Sequence, residues 1–409
     1  MLSWASRFNI FCFLDNHHYN LRPHRYECLV AAGAATQISS GELEDLDRFL
    51  EKKDQWKFGH LSYELKNKIF NFTSSKKDDT GFPFFFFFTP TNLVQLKGAQ
   101  LTINASNPDA VYQQIINAEY STPSAMAGLE LDQGMTRKEY QDTIGVLKEH
   151  IRRGDCYEIN FCQEFFSEAA SIDPLDVFRK LTALSPTPFA ALYKLEENYL
   201  ICASPERFLM RNGGSILSQP MKGTIKRAVD DPWHDQELKQ QLAQSAKDQA
   251  ENVMVVDMVR NDLSRICEAA SVRVEELFTV YSFPQVHQMI STVSGRLRQG
   301  LRFSEIVRAS FPMGSMTGAP KHRVLELIDE YETSARGIFS GSVGYIDPAG
   351  DFDFNVVIRS IMYNAQRRFL SYKVGSGITF YSDAEKEWEE CLLKGEAIKK
   401  VLTGGPALR

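Results

Sequence analysis

The sequence predicts a mixed α/β (α+β) fold. Short apolar runs separated by turn residues recur from the first hundred residues to the last, and capped amphipathic segments stand between them. With 409 residues, 43% of them hydrophobic and 24% charged, the chain can build a large core. We divide it into a sheet-contributing N-terminal region (1–116), a connection (117–134) and a chemistry-bearing region (135–409) that forms one compact unit with the first.

Among the early elements, Phe84 to Phe88 in GFPFFFFFTP lie between Pro83 and Pro90 and read as a strand buried on both faces. Asn71 to Gly81 is a loop by composition, and the stretch from Asn117 to Gln133 has no clean period. Thr136 and Glu139 then make a capping box. Behind it Tyr140, Ile144, Leu147 and Ile151 recur at helical spacing up to Gly154. CYEINFCQEF is a strand, FAALYKL and YLICAS form a hairpin around a Glu-Glu-Asn turn, and PERFLMRNGGSILSQPM continues as strand and turn.

Asp231-Pro232 opens a long helix predicted to reach about Ile266, with Asp248 and Glu251 on one face. A second helix starts near Gly318-Ala-Pro-Lys, with Pro320 in its first turn and Val324, Leu327, Ile328 and Tyr331 as its apolar stripe. Strands GIFSGSVGYI, FNVVIRSIM and LSYKVGSGITF follow. The last helix, from about Asp383, carries Glu387 and Glu390, again three residues apart.

A net charge of −6 and a pI near 5.8 point away from nucleic acid and from anionic membranes, leaving small molecules or another protein as partners. Seven scattered cysteines without a CxxC pair suggest neither a disulfide framework nor a zinc site, and fit a reducing cytoplasm. The N-terminus lacks a basic start followed by a sustained apolar run, and no stretch reaches the roughly 18 to 20 apolar residues of a membrane span.

Either acid pair alone reads as an ordinary solvated helix face. Glu387, however, follows Gly375-Ser-Gly377, where small residues leave backbone N–H groups open to an anion, and carboxylates with few other ligand types suit a hard cation such as Mg²⁺. Glu206 in Ser204-Pro-Glu-Arg stands at a strand end, as a general acid if desolvated or as a turn residue paired with Arg207 or Arg211. Arg359 interrupts an apolar strand and calls for a carboxylate, from the protein or from a substrate. Thr317-Gly-Ala-Pro-Lys321 is either a helix-start anion site or only a cap. Lys222, in SQPMKGTIKR, is either a salt-bridged structural lysine or a reactive amine. An amine nucleophile at neutral pH requires its pKa, about 10.4 in water, to fall by roughly 3 units. Apolar burial or a neighbouring cation, such as Lys226 or Arg227, can supply that fall.

Together DCYEINFCQEF, ASPERFL, QPMKGTIKR, AENVMVVDMVRNDL, STVSGRL, SMTGAPK, RGIFSGSVGY, VVIRSIM and GSGITFYSDAEKEWEECLLK resemble the chorismate-utilising enzymes over residues 135 to 400. The Pro-x-Lys-Gly-Thr form around Lys222 is similar to the branch that makes 4-amino-4-deoxychorismate for 4-aminobenzoate and folate, and anthranilate-forming relatives have alanine at that position. The resemblance implies two large packed β-sheets with helices outside. It implies Mg²⁺ held directly by Glu251 and Glu390, with Asp248 and Glu387 acting partly through water. Arg359 and the backbone from Gly375 through Ser376 to Gly377 would hold a substrate carboxylate, with Gly223, Thr224 and Lys394 nearby. Lys222 would attack chorismate while Glu206 protonates the departing hydroxyl. Ammonia, from a partner glutamine amidotransferase in a heteromer, would then displace the lysine. The anthranilate-forming activity and a non-catalytic chorismate-binding subunit are the alternatives. Three departures stand out: Phe339 replaces a tyrosine that helps hold the enolpyruvyl carboxylate, Gln288 with His287 before it replaces a histidine, and Glu158 replaces the water-activating lysine of isochorismate-forming relatives.

Overall fold

The computed structural model describes residues 1–404 apart from 20, 22, 40, 41, 53 and 120–127. The middle of the sequence-predicted connection, 117–134, therefore lies outside the described residues. In chain order the strands are β1 (Ile10–Asp15), β2 (Cys28–Ser39), β3 (Lys57–Leu61), β4 (Phe85–Lys97), β5 (Gln100–Asn104), β6 (Asp132–Gln133), β7 (Glu158–Ser167), β8 (Phe189–Leu195), β9 (Asn198–Ser204) and β10 (Arg207–Asn212). They continue as β11 (Ser215–Gln219), β12 (Met221–Lys226), β13 (Arg273–Ser282), β14 (Val286–Arg296), β15 (Gly318–Ala319), β16 (Ser342–Ile346), β17 (Phe352–Asn355), β18 (Ser360–Asn364) and β19 (Phe369–Ile378). The helices that frame the site are α1 (Arg137–Arg153), α2 (Pro232–Ala243), α3 (Ala246–Ser264), α4 (Lys321–Tyr331) and α5 (Ala384–Thr403).

Every strand pairing is antiparallel. One arm runs β7–β19–β18–β9–β8–β1–β2. The other runs β4–β3–β16–β17–β10–β11–β14, with β12 and β13 both on β14. The two sheets implied by the resemblance are thus two arms of one hydrogen-bonded network, because the long pair β2–β4 runs through both. That pair changes register between Ala34 and Thr36, which lets one ribbon bend instead of ending.

The period of two decides where the core sits. Along the first arm Cys12, Ala31, Ala191, Tyr193, Leu200 and Cys202 join Phe58, Phe87, Leu209 and Phe354 of the second arm in one apolar cluster. Their sequence neighbours Phe11, Val30, Ala190, Leu192, Ile201 and Ala203 face the opposite way, onto Tyr140, Ile144 and Leu147 of α1, Val324 and Leu327 of α4, and Ile398 of α5. Phe85 to Phe88 are all buried, as a strand covered on both faces should be.

The α1 signals hold throughout: Thr136 and Glu139 form a reciprocal capping box, and Gly154 ends the helix in the left-handed region at φ 85°. Three readings need correction. The long helix from Asp231 is two, because the Ser245 hydroxyl accepts from the Asp248 N–H and starts α3 afresh. Pro320 is the N-cap of α4 and not a first-turn residue, since Gly318–Ala319 are taken up in pairing with β7. FNVVIRSIM is not one strand: β17 stops at Asn355 and β18 begins at Ser360, with Arg359 at φ 50° between them. Among the described residues no helix is long and apolar enough to cross a membrane.

Candidate active site

Two of the places where the chain passes between the arms, the β9–β10 and β17–β18 junctions, lie side by side, and the predicted residues gather along that seam. Glu206 occupies the first crossing, where its carbonyl accepts from the Val356 N–H of the second at 3.0 Å. Arg359 closes the second crossing, its carbonyl bonded to the Ala203 N–H. Strands β12, from the second arm, and β7 with β19, from the first, bring their edges to the same place.

Lys222 stands where β12 slips register against β14 between Met221 and Thr224, a bulge that re-aims its side chain. Gln288 clamps the bulge: its amide donates to the Gly223 carbonyl at 2.6 Å, and its oxygen accepts from the Thr224 hydroxyl at 2.7 Å. Gly223 itself has φ 79°, and a Cβ there would come within 2.8 Å of the Asp248 carboxylate, so the bulge lies flat against α3.

The Lys222 ammonium donates to Glu158 Oε1 at 2.9 Å and lies 3.8 Å from Glu251 Oε2, with only 12% of the side chain exposed. Burial works to lower its pKa, but Glu158 and Glu251 outweigh burial and hold it above the ordinary lysine value. Of the two readings that the sequence left open, the local contacts match the salt-bridged lysine, and the apolar surroundings or neighbouring cation that would depress the amine are not what it meets. Arg227 is occupied elsewhere, paired with Asp235 at 2.7 Å, and Lys226 is exposed.

Glu206 is 5% exposed, and neither arginine offered by the sequence reaches it. Arg207 pairs with Asp353 at 2.9 Å and Arg211 lies 3.8 Å from Asp351. Burial raises the Glu206 pKa to about 7, against the opposing pull of Ser315 and the Lys222 charge. A carboxyl that keeps its proton near neutrality beside a lysine is equipped as a general acid.

The acid pairs of α3 and α5 turn towards the same seam. Lys247 lies 3.8 Å from Glu251 and 4.0 Å from Glu390, and it feels the charges of Glu387 and Asp248 as well. Lys394 holds Glu390 at 2.8 Å and donates to the Gly375 carbonyl at 2.9 Å, tying α5 to β19. Glu387 is buried, with no donor to its Oε2 among the described residues. Such an all-oxygen set fits a hard divalent cation. Among the described residues no three His, Cys, Asp or Glu side chains are already drawn together as a metal cage, and lysines stand between the acids instead.

Gly375, Ser376 and Gly377 pair with Cys162, Phe161 and Asn160 of β7, while β18 pairs with β19 only as far as Tyr372. Past Tyr372 no strand among the described residues pairs with the β18 side of β19, and Lys394 reaches the Gly375 carbonyl there. Arg359 keeps some exposed surface, yet burial is the main influence on its pKa and lowers it, with the Tyr19 phenol opposing. No carboxylate among the described residues pairs with Arg359, which leaves its guanidinium available to a substrate anion.

Other predicted positions turn out structural. Lys321 of the Thr317–Lys321 segment pairs with Asp262 at 2.8 Å, and the Thr317 hydroxyl donates to the Met313 carbonyl, so this stretch is a tied turn and not an open anion site. Phe339 is buried in the apolar cluster between the arms. Sequence reasoning missed Tyr19, Lys247 and Ser315. Ser315 falls inside a quoted motif and could have been named, but nothing local marks Tyr19 or Lys247.

Residues 16–400 match the family of chorismate binding enzymes. The chain belongs to that family. Aminodeoxychorismate synthase component 1 of Escherichia coli (strain K12) is 40% identical over 268 residues, which cover 66% of this chain and 58% of that one. The chain thus spans a little over half the length of that relative. An anthranilate synthase component I-like protein of Synechocystis sp. is 31% identical over 353 residues, 85% of this chain and 72% of that one. Among solved structures, anthranilate synthase component I of Streptococcus pneumoniae superposes with a TM-score of 0.80 at 23% identity, covering 94% of both chains. It shares the fold.

Proposed function

We propose that this chorismate binding enzyme aminates chorismate to 4-amino-4-deoxychorismate through a covalent adduct on Lys222, as the synthase component of a pair whose other member supplies ammonia from glutamine. The observation that carries the reading is the convergence in one buried seam of Lys222 and of Glu206, a carboxyl whose pKa burial raises to about 7 and which feels the Lys222 charge, beside two acid-bearing helices. The identity to relatives named aminodeoxychorismate synthase component 1 supports it, and the word component supports a partner.

Arg359 and the open edge of β19 hold the enolpyruvyl carboxylate. Glu251 and Glu390, with Asp248 and Glu387 around them, would hold a magnesium ion that supplies counter-charge for the ring carboxylate. Glu251 drawn to such an ion would leave Glu158 as the carboxylate still holding Lys222. Lys222 first releases a proton to solvent; the neutral amine then bonds to ring C2, the double bonds shift, and the C4 hydroxyl leaves as water on the proton given by Glu206. The adduct nitrogen is then a secondary ammonium. Ammonia adds at C4, the double bonds return, the C2–N bond breaks with its electron pair going to Lys222, and Glu206 recovers a proton from the new C4 ammonium. Seven buried free cysteines support a reducing compartment such as the cytoplasm.

The test is chorismate, Mg²⁺ and an ammonium salt, with products and the Lys222 peptide analysed by mass spectrometry. We expect 4-amino-4-deoxychorismate and a chorismate-derived mass on Lys222. Anthranilate with pyruvate as the main products would overturn the assignment, and Lys222→Ala at full rate would overturn the covalent role.

A further inference from the structure

We infer that Glu158 is the positioning residue for Lys222, fixing its amine at the seam where β12 meets β7; this rests on Lys222 being the nucleophile. Glu158 opens β7, and its side chain is 4% exposed. One carboxylate oxygen takes the Lys222 N–H at 2.9 Å, while no donor among the described residues reaches the other. A carboxylate buried this deeply normally collects several donors, and here a single lysine answers its charge.

A purely structural role explains this poorly. The pair does tie β12 of one arm to β7 of the other, but a buried ion pair with one contact stabilises no better than two apolar side chains of the same volume. What it does supply is geometry. Lysine has four rotatable bonds beyond a backbone already clamped by Gln288, so the amine needs a second fixed point to stay in one place. Glu251, at 3.8 Å, is a loose partner and belongs to the acid set of the helices. Glu158 lies closer and stands outside that set.

Gly377 keeps the arrangement possible. A Cβ at that position would lie 2.6 Å from Glu158 Oε1 and 2.7 Å from Lys222 Nζ, so any side chain there would drive the two apart. The glycine lies in extended β19, where a left-handed backbone is not what requires it. Space for the pair is.

The experiment measures the rate at which the full chain, given chorismate and Mg²⁺ without ammonia, acquires chorismate mass on Lys222, together with KM for chorismate. Glu158→Ala should slow adduct formation by about 30-fold while KM stays within about twofold, because binding groups elsewhere are untouched. Glu158→Gln keeps a carbonyl acceptor at the same reach and should recover most of the rate. Gly377→Ala, which leaves Glu158 in place but crowds it, should slow the step by about tenfold. Adduct formation at the wild-type rate in Glu158→Ala would overturn the assignment, as would Glu158→Gln as slow as alanine. No adduct in the wild type would sink the nucleophile reading and this assignment with it; an undiminished rate in Glu158→Ala sinks this assignment alone.

Discussion

Helices α3 and α5 carry the same pattern and meet different fates. Each starts at a side-chain cap, Ser245 bonded to the Asp248 N–H and Asp383 to the Lys386 N–H, and each presents two acids three residues apart to the seam. Glu251 of α3 is 14% exposed, its lysines stand at 3.8 Å, and burial raises its pKa against their pull. Glu390 of α5 is 39% exposed and, although burial pushes its pKa up, Lys394 at 2.8 Å brings it below the ordinary value. The lesson is that identical spacing fixes only a face. Depth and contact distance then decide whether an acid is held ready as an anion or left under-compensated.

The comparison would break most completely at Glu251. Because it is the deeper of the two acids and lies 3.8 Å from Lys222 of β12, Glu251→Gln should weaken Mg²⁺ binding by roughly 100-fold in calorimetry. An affinity within threefold of wild type would show that the two helices do not share a cation.

Glu206 extends the contrast to an acid that no lysine contacts directly. Its unfolded pKa is about 4.5 and its folded value about 7. Between those values the unfolded chain binds fewer protons than the folded one, so this residue's contribution to stability falls as pH rises from 4.5 and is fully lost above 7. Glu206→Gln removes that loss, and in denaturant titrations its stability relative to wild type should rise by on the order of 2 kcal/mol from pH 5 to pH 8. Activity should fall sharply in the same variant. A pH-independent difference would mean the carboxyl is not protonated when folded.

Glu390→Gln should cost about tenfold in Mg²⁺ affinity, less than Glu251→Gln, because the exposed acid is partly replaceable by water. Equal losses would erase the asymmetry. Ser245→Ala and Asp383→Ala should each destabilise the protein by about 1 kcal/mol, measured by chemical denaturation, since both remove one cap bond. The smallest effect falls on Lys247: 61% exposed, it is a screened counter-charge, and Lys247→Gln should tighten Mg²⁺ binding by about threefold at low salt and hardly at all at high salt. Weaker binding in that variant would make the lysine a helper of the cation instead of its competitor.

Much of this was legible in the chain itself. The capping box at Thr136, the stripe Tyr140–Ile144–Leu147 and the hairpin around Glu196 and Glu197 are written in local periods and caps and fold as read; the phenylalanine strand does so for Phe85 to Phe88, while Phe84 stays outside it and the strand runs on through Pro90 to Lys97. Both acid pairs, Lys222, Glu206 and Arg359 were visible as residues that ordinary core or surface patterns do not require. The missed helix break at Ser245 was readable too, because a serine three residues before an aspartate is a start signal even inside a continuous helical pattern.

Tertiary structure alone decided what those residues experience. That Glu206 escapes both neighbouring arginines follows from Asp351 and Asp353, about 145 positions away, claiming them. That Arg359 sits at positive φ with no carboxylate partner among the described residues follows from the chain crossing between two arms of one strand network. That Lys222 is a paired ammonium depends on Glu158, 64 residues earlier, and on the missing side chain of Gly377. Helical and strand periods act over a few residues and are printed in the sequence. Charge and burial act through space, and they become definite only when distant segments are brought within a few ångströms of one another.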